Sequence, residues 1–475
     1  MRKTSWILCI LVALGASPLA VAANPTSAGT AASGGSPAVA LISAAGALPQ
    51  AASSTVKDFG LPILSHRQQQ PIVDGWIVKR FETVLPELMR RAGIDMWIII
   101  TREYNDDPVF RSMAPLTTYA SRRRTILAFF DRGSEEGVER LSIGRFNYGG
   151  LFEVHNTHNE RQFEGLLEVV QERDPRVIGI NTSKRWNHAD GLSANEKDNL
   201  VEALGPEYAS RLVSAEALAV GWLEYKLPEQ TDAYRNVMQV AHRIIAQAFS
   251  NDVIIPGVTT TDDVRWWMRQ RVADLGMGQW FHPSISIERE GGLEGVEQAP
   301  SGGYVIERGD MLHCDFGIVY LGLSTDTQHL AYVLKPGETD APAGLKAGLA
   351  AGNRLQELTM QYAVIGGTGN QALEGALRQA MEEGLNPTIY CHPVGYHGHA
   401  AGPPIGMTDY QEGVPVRGDY PFYPNTWTSI ELNVRQPVPE WGGQEVRFAL
   451  EEDAALLEGG WDWVDGNQTK YYLIK

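Results

Sequence analysis

From about residue 56 to 222 the apolar positions follow two alternating rhythms. Trp76 to Ala92 keeps the helical period, whereas Met96-Trp97-Ile98-Ile99-Ile100, Ile126 to Phe130, Leu141 to Gly144 and Val177-Ile178-Gly179-Ile180 are short apolar runs of strand length. The alternation predicts an α/β segment. It holds no Gly-rich phosphate loop, and Arg122-Arg123-Arg124 fits a solvated or partner-facing surface better than a ligand site. At about Gly221 the pattern changes. Pro228 opens a long amphipathic helix through Val237, Met238, Ala241, Ile244, Ile245 and Phe249. A turn at Ile255 to Thr259 leads to a second helix, capped by Thr261-Asp262-Asp263, with Val264, Trp267, Met268, Arg271 and Leu275 on one face and Gly276 at its end. Strands and turns are predicted over 282–333, helices over 342–363 and 369–384, and a β-rich stretch after them. This helix-helix-strand-strand order occurs twice, which hints at a duplicated half.

The N-terminus stands outside this scheme. Arg2 and Lys3 precede an apolar run from Trp6 to Ala16 and the small residues Ala20 to Ala23, the pattern of a cleavable secretory signal over 1–23. The run is too short to span a bilayer, which takes about 20 residues. Residues 24–55 are rich in Ala, Gly, Ser and Pro, a composition that predicts a flexible leader. Two domains are expected behind it, 56–222 and 223–475, in a mature protein that is periplasmic or secreted.

Charge narrows the partners. The formal net charge is −17, and −19 once Arg2 and Lys3 are removed, a balance that argues against nucleic acid and membrane surfaces. Only Cys314 and Cys391 remain in the mature chain; both lie in apolar runs and are expected to be buried core residues rather than a disulfide framework.

Candidate chemistry lies in four segments. Met311 to Val333 reads as a hairpin holding Asp315 and Asp326; a reversal near Tyr320 to Gly322 would set the two carboxylates opposite each other, with β-carbons about 5 Å apart. Such a pair fits two bridged cations about 3.5–4 Å apart, a dyad sharing a proton, or two unrelated surface acids. Cys391 to Gly406 crowds His392, His397 and His399 among glycines, which favours a ligand over isolated structural histidines. Glu431 interrupts one apolar strand, and Glu451-Glu452-Asp453 interrupts the last.

The order Asp, Asp, His in a Gly-rich turn, Glu, Glu resembles the metallopeptidase family that contains methionine aminopeptidase, Xaa-Pro aminopeptidase, prolidase and creatinase. The likeness spans about 223 to 470, and 56–222 looks like the N-terminal domain of the Xaa-Pro aminopeptidase, prolidase and creatinase branch. It implies an α/β creatinase-like N-terminal domain followed by an α+β pita-bread catalytic domain, and a homodimer, as is usual in this branch. Residue by residue, it implies metal ligands at Asp315, Asp326, His399, Glu431 and Glu451, with Glu451 preferred to Glu452 because it follows Leu450 directly. It also implies two divalent metal ions, Mn²⁺ first given a hard donor set, with Co²⁺, Zn²⁺ or Fe²⁺ as alternatives. Glu431 would take and return the proton during hydrolysis.

The match is incomplete. Two further substrate-contacting histidines of the family correspond to Gln298 and Gly406, and the usual Glu-Pro-Gly corresponds to Glu431-Leu432-Asn433. His282, His392 and His397 are possible substitutes, His397 the best placed for catalysis and His282 for substrate binding, while Tyr396 and Trp427 are candidates for an apolar proline pocket. The expected activity is removal of the residue before a proline from short peptides. Alternatives are hydrolysis of another amide or C–N bond, and a non-catalytic protein that keeps the metal cage.

Overall fold

The computed structural model describes residues 60–475. The signal sequence, the leader and the expected start of order near Val56 lie outside the described residues. The first helical stretch is two helices rather than one: α1 (His66–Thr83) and α2 (Leu85–Ala92). Pro86 has no N–H to offer Glu82 and closes the ladder between them, and Gly93 ends α2 at a φ of 65°.

Next come β1 (Met96–Arg102), β2 (Arg124–Asp131), β3 (Val138–Gly144), β4 (Glu153–Asn156), α3 (Gln162–Arg173), β5 (Ile178–Ile180), α4 (Ala194–Ala209), β6 (Leu212–Ser214) and α5 (Glu216–Glu224). The strands form one sheet in the order β4-β3-β2-β1-β5-β6. β4 and β6 are its short edges, which is why the apolar pattern passed over them. The central run of β1 is buried on both faces. Met96, Ile98 and Ile100 pack with α3 and α4, whereas Trp97 and Ile99 join a cluster that continues through Trp222 of α5 into the following half.

That half opens with α6 (Pro228–Ala248) and α7 (Thr261–Asp274). The cap of α7 is Thr260, one residue before the expected position. Thr260 Oγ1 accepts from Asp263 N at 3.1 Å while Asp263 Oδ2 accepts from Thr260 N at 2.9 Å, a reciprocal capping box. β7 (Ser284–Glu288), β8 (Met311–Phe316), a short hairpin of β9 (Val319–Tyr320) and β10 (Leu323–Ser324), and β11 (Thr327–Val333) follow. Its turn is Leu321-Gly322, both at positive φ (57° and 71°), the pattern of a two-residue hairpin loop. Asp315 therefore pairs with Gln328, not with Asp326, which precedes β11. A two-residue slip keeps side-chain parity, so the two acids still share a face.

Then come α8 (Ala343–Tyr362), α9 (Gly369–Glu382), β12 (Pro387–Ile389), β13 (His392–Pro393), β14 (Thr426–Ser429), β15 (Leu432–Val438), β16 (Gln444–Leu450), β17 (Asp453–Leu457), β18 (Gly460–Trp463) and β19 (Tyr472–Ile474). They complete three sheets, β19-β11-β8-β7, β12-β15-β16 and β13-β14-β17-β18. α8 approaches β16 closely through glycine: a Cβ on Gly348 would lie 2.2 Å from Phe448 Cζ. Gly348→Ala is therefore expected to lower stability by about 1–3 kcal/mol through overpacking, read as a lower urea midpoint. An unchanged midpoint would mean the helix can back away freely.

Candidate metal centre

Two chain segments change sheet at an acid. β14 passes into β15 through Ile430-Glu431, and β16 passes into β17 through Glu451-Glu452, so each carboxylate sits where the ladder is interrupted. Asp315 comes from β8, Asp326 from the residue before β11, His392 from the start of β13 and His399 from the Gly-rich turn after it. Ligand atoms of Asp315, Asp326 and Glu451 lie within 4.8 Å of one another, as do those of Asp326, His392 and His399, and those of His392, Glu431 and Glu451.

The arrangement is electrostatically unbalanced without a cation. Asp326 is 4% exposed and Glu451 1%, and Asp326 Oδ1 is buried with no hydrogen-bond partner. Burial first, then the neighbouring acids, holds the carboxyls of Asp326, Glu431 and Glu451 well above their ordinary range. Burial likewise pushes Asp315 up to about 6. His392 supplies what counter-charge there is. Its Nδ1 is 2.9 Å from the Pro393 carbonyl, and its Nε2 is 3.2 Å from Glu451 Oε1 and 3.4 Å from Asp326 Oδ2. Burial opposes its ionisation, but Asp326 and Glu451 outweigh that and raise its pKa. Four carboxylates and two imidazoles around an unsatisfied oxygen suit hard divalent cations, so the residues fit the expected metal.

Gln328 organises two of the acids. Its Nε2 donates to Glu431 Oε1 at 2.5 Å and to Glu451 Oε2 at 3.0 Å, while its Oε1 is 2.9 Å from His313 Nε2. Ser429 Oγ donates to the other oxygen of Glu451 at 2.7 Å. Glu452 points to the opposite side, onto His242 and His329, so the side chain that joins the cluster is Glu451.

Asp315, Glu431, His392 and His399 open onto a cavity of 840 Å³. One wall, Trp186 to His188, belongs to the N-terminal half, and Arg417, Arg447 and Tyr390 line the others. Arg447 donates to the Tyr390 hydroxyl at 2.8 Å.

Four expected site residues lie elsewhere. His397 faces a separate cavity, with its ring 4.8 Å from that of His188, and burial followed by His188 and Lys226 lowers its pKa to about 4. Tyr396 faces the same cavity, its hydroxyl accepting from Gln230 at 2.9 Å. His282 is exposed beside Arg269 and Trp266. Trp427 is buried in the core, stacked on Tyr234. The turn after Pro393 swings Tyr396 and His397 away from the acids before bringing His399 back, which residue spacing does not reveal. His392 was visible in the same segment, but its place among the acids depends on the pairing of β13 with β14.

His392→Ala is expected to weaken divalent-metal binding at least about 10-fold in a calorimetric titration. Unchanged affinity would reduce this imidazole to a counter-charge of the metal-free protein.

Residues 232–451 match the profile of metallopeptidase family M24. The chain carries an M24 metallopeptidase domain. No curated protein matches the sequence. Among solved structures, the chain is similar to an X-Pro aminopeptidase from Thermotoga maritima MSB8, at 17% identity and a TM-score of 0.59, over 82% of this chain and 99% of that one. An Xaa-Pro dipeptidase from Bacillus anthracis matches at 19% identity and a TM-score of 0.52, over 84% and 99% of the two chains. The N-terminal domain of the FACT complex subunit SPT16 from chickpea matches at 9% identity and a TM-score of 0.57, over 84% and 99%. At such identities the likeness establishes the fold, an N-terminal α/β domain followed by the M24 pita-bread domain.

Within that M24 domain, two positions lack the family's histidines for different reasons. Gln298 is exposed and outside the cavity lining. Gly406 lines the cavity at a φ of 72°, and a Cβ there would lie 2.3 Å from the Ile389 carbonyl oxygen. No side chain fits at Gly406. The imidazoles that do line the cavity are His188, His313, His392 and His399.

Proposed function

We propose that the chain is a dinuclear-metal hydrolase that removes the residue preceding a proline from short peptides. The observation that carries this is the convergence of Asp315, Asp326, His392, His399, Glu431 and Glu451, from buried Asp326 and Glu451 out to exposed His399, at the wall of an open cavity. Bound divalent cations, Mn²⁺ first by the hardness of the donors, would polarise an amide carbonyl and acidify a water. The protein's own contribution is proton handling and orientation. Glu431 faces the cavity beside Glu451, where a carboxyl can take a proton and return it to the leaving amine. Gln328 holds Glu431 and Glu451 in register. Trp186, Pro404, Met407 and Tyr390 provide apolar wall for a prolyl ring. The N-terminal signal pattern extends the proposal to a periplasmic or secreted protein, and the branch resemblance to a homodimer.

The test is hydrolysis of short Xaa-Pro peptides by the mature protein with added Mn²⁺, beside Glu431→Gln and a metal analysis. Chelator-sensitive cleavage lost in the variant supports the proposal. Metal binding without Xaa-Pro cleavage would move the substrate to another amide or C–N bond, and absence of any hydrolysis would leave a metal-holding binding protein.

A further inference from the structure

Gln328 and Glu451 face the acids described above, and their neighbours His329 and Glu452 face the other way. There α6 contributes His242, and the three side chains bring one ligand atom each within 4.8 Å of the others. His242 Nε2 is 3.0 Å from Glu452 Oε2 and His329 Nε2 is 2.6 Å from Glu452 Oε1, with the two rings stacked at 4.9 Å.

The far nitrogens are held as well. His242 Nδ1 is 2.9 Å from Asp465 Oδ2, and Tyr472 Oη is 3.3 Å from His329 Nδ1. Both imidazoles are thus oriented from behind, with their Nε2 atoms converging on one carboxylate. That is how protein zinc sites are built: two imidazoles and an acid, each imidazole backed by a carboxylate or another polar group. His329 and Glu452 are 4% and 2% exposed in their side chains, His242 and Asp465 16% and 24%, which leaves an approach from the α6 side.

We propose that His242, His329 and Glu452 bind a single divalent cation, Zn²⁺ by preference, apart from the Asp315–Glu451 cluster. The donor set differs in kind from the carboxylate-rich one, and imidazole nitrogens favour zinc. Without a metal, the position between the two imidazoles and Glu452 is spanned by the His242–Glu452 and His329–Glu452 contacts. A cation takes that position with two buried or half-buried carboxylates to neutralise it. Its effect would be structural, fastening α6 to the strand residue next to Glu451.

The test uses the full mature chain with Asp326→Asn and Glu431→Gln, to weaken the carboxylate cluster. After loading with Zn²⁺ and desalting, metal analysis is expected to find about one ion per chain more than in the same protein carrying His242→Gln as well. Co²⁺ loading should give a visible absorption band that the added His242→Gln removes, with far-ultraviolet circular dichroism checking that the variant is folded. Should His242→Gln fail to fold, Asp465→Asn reads the site from a more exposed position, with an expected loss of about 10-fold in Zn²⁺ affinity. Equal zinc content with and without His242→Gln, or an affinity indifferent to Asp465→Asn, would overturn the proposal and leave the cluster an ion-pair strut.

Discussion

Glu431→Gln is expected to cut kcat by about 10²–10⁴-fold, the usual contribution of a positioned general acid–base group. The same substitution should raise the thermal stability of the chelated protein above pH 7. Glu431 is held among Glu451, Asp315 and Asp326, and its pKa is pushed up by burial first and then by Glu451. A neutral amide of the same shape removes an anion that the metal-free fold must otherwise ionise against its neighbours. Loss of function together with a gain in metal-free stability is what a functional carboxylate shows and a structural one does not. Retained turnover, or a melting temperature that falls with chelator present, would remove Glu431 from the proposed role.

Metal removal should also make stability strongly dependent on pH. Asp315, raised to about 6, and Asp326, Glu431 and Glu451, raised further, all hold protons in the folded chain at pH values where the unfolded chain has lost them. Their stabilising contribution is fully present below about pH 4, the ordinary carboxyl range, and is lost as the pH rises through 6 and above. His392, also raised, acts with the same sign. Chelated protein is therefore expected to melt progressively earlier from pH 5 to 8. Mn²⁺ at about a hundred times its Kd should restore about 2.7 kcal/mol per ion, and most at the alkaline end. Melting scans with and without chelator across that range are the measurement. A flat profile in chelator would mean that the acids are compensated by something other than a cation.

Much of this site was legible in the sequence because its acids interrupt apolar strands. Asp315, Asp326, Glu431 and Glu451 each stand where a strand pattern calls for an apolar residue, and that anomaly is local. His392 and His397 sit in one Gly-rich turn with similar neighbours, and only the path of the backbone separates the imidazole among the acids from the one facing another cavity. Gln328 carried no signal, since its role arises from pairing opposite Asp315. Trp186 and His188 were equally silent, because a wall supplied by a distant segment leaves no periodicity. In the fold, the buried runs of β1, β2 and β5 announced themselves, whereas the edge strands β4 and β6 were too short to do so.

The apolar cluster that begins on the Trp97 face of β1 and runs through Trp222 to Tyr234, Val237 and Ile245 of α6 has a thermodynamic consequence. Halves that share a core cannot melt in turn, because unfolding either one strips the shared apolar surface from the other. Calorimetry on the described chain should therefore trace a single endotherm, and a protein severed near residue 222 should yield two fragments that associate or aggregate instead of two soluble modules.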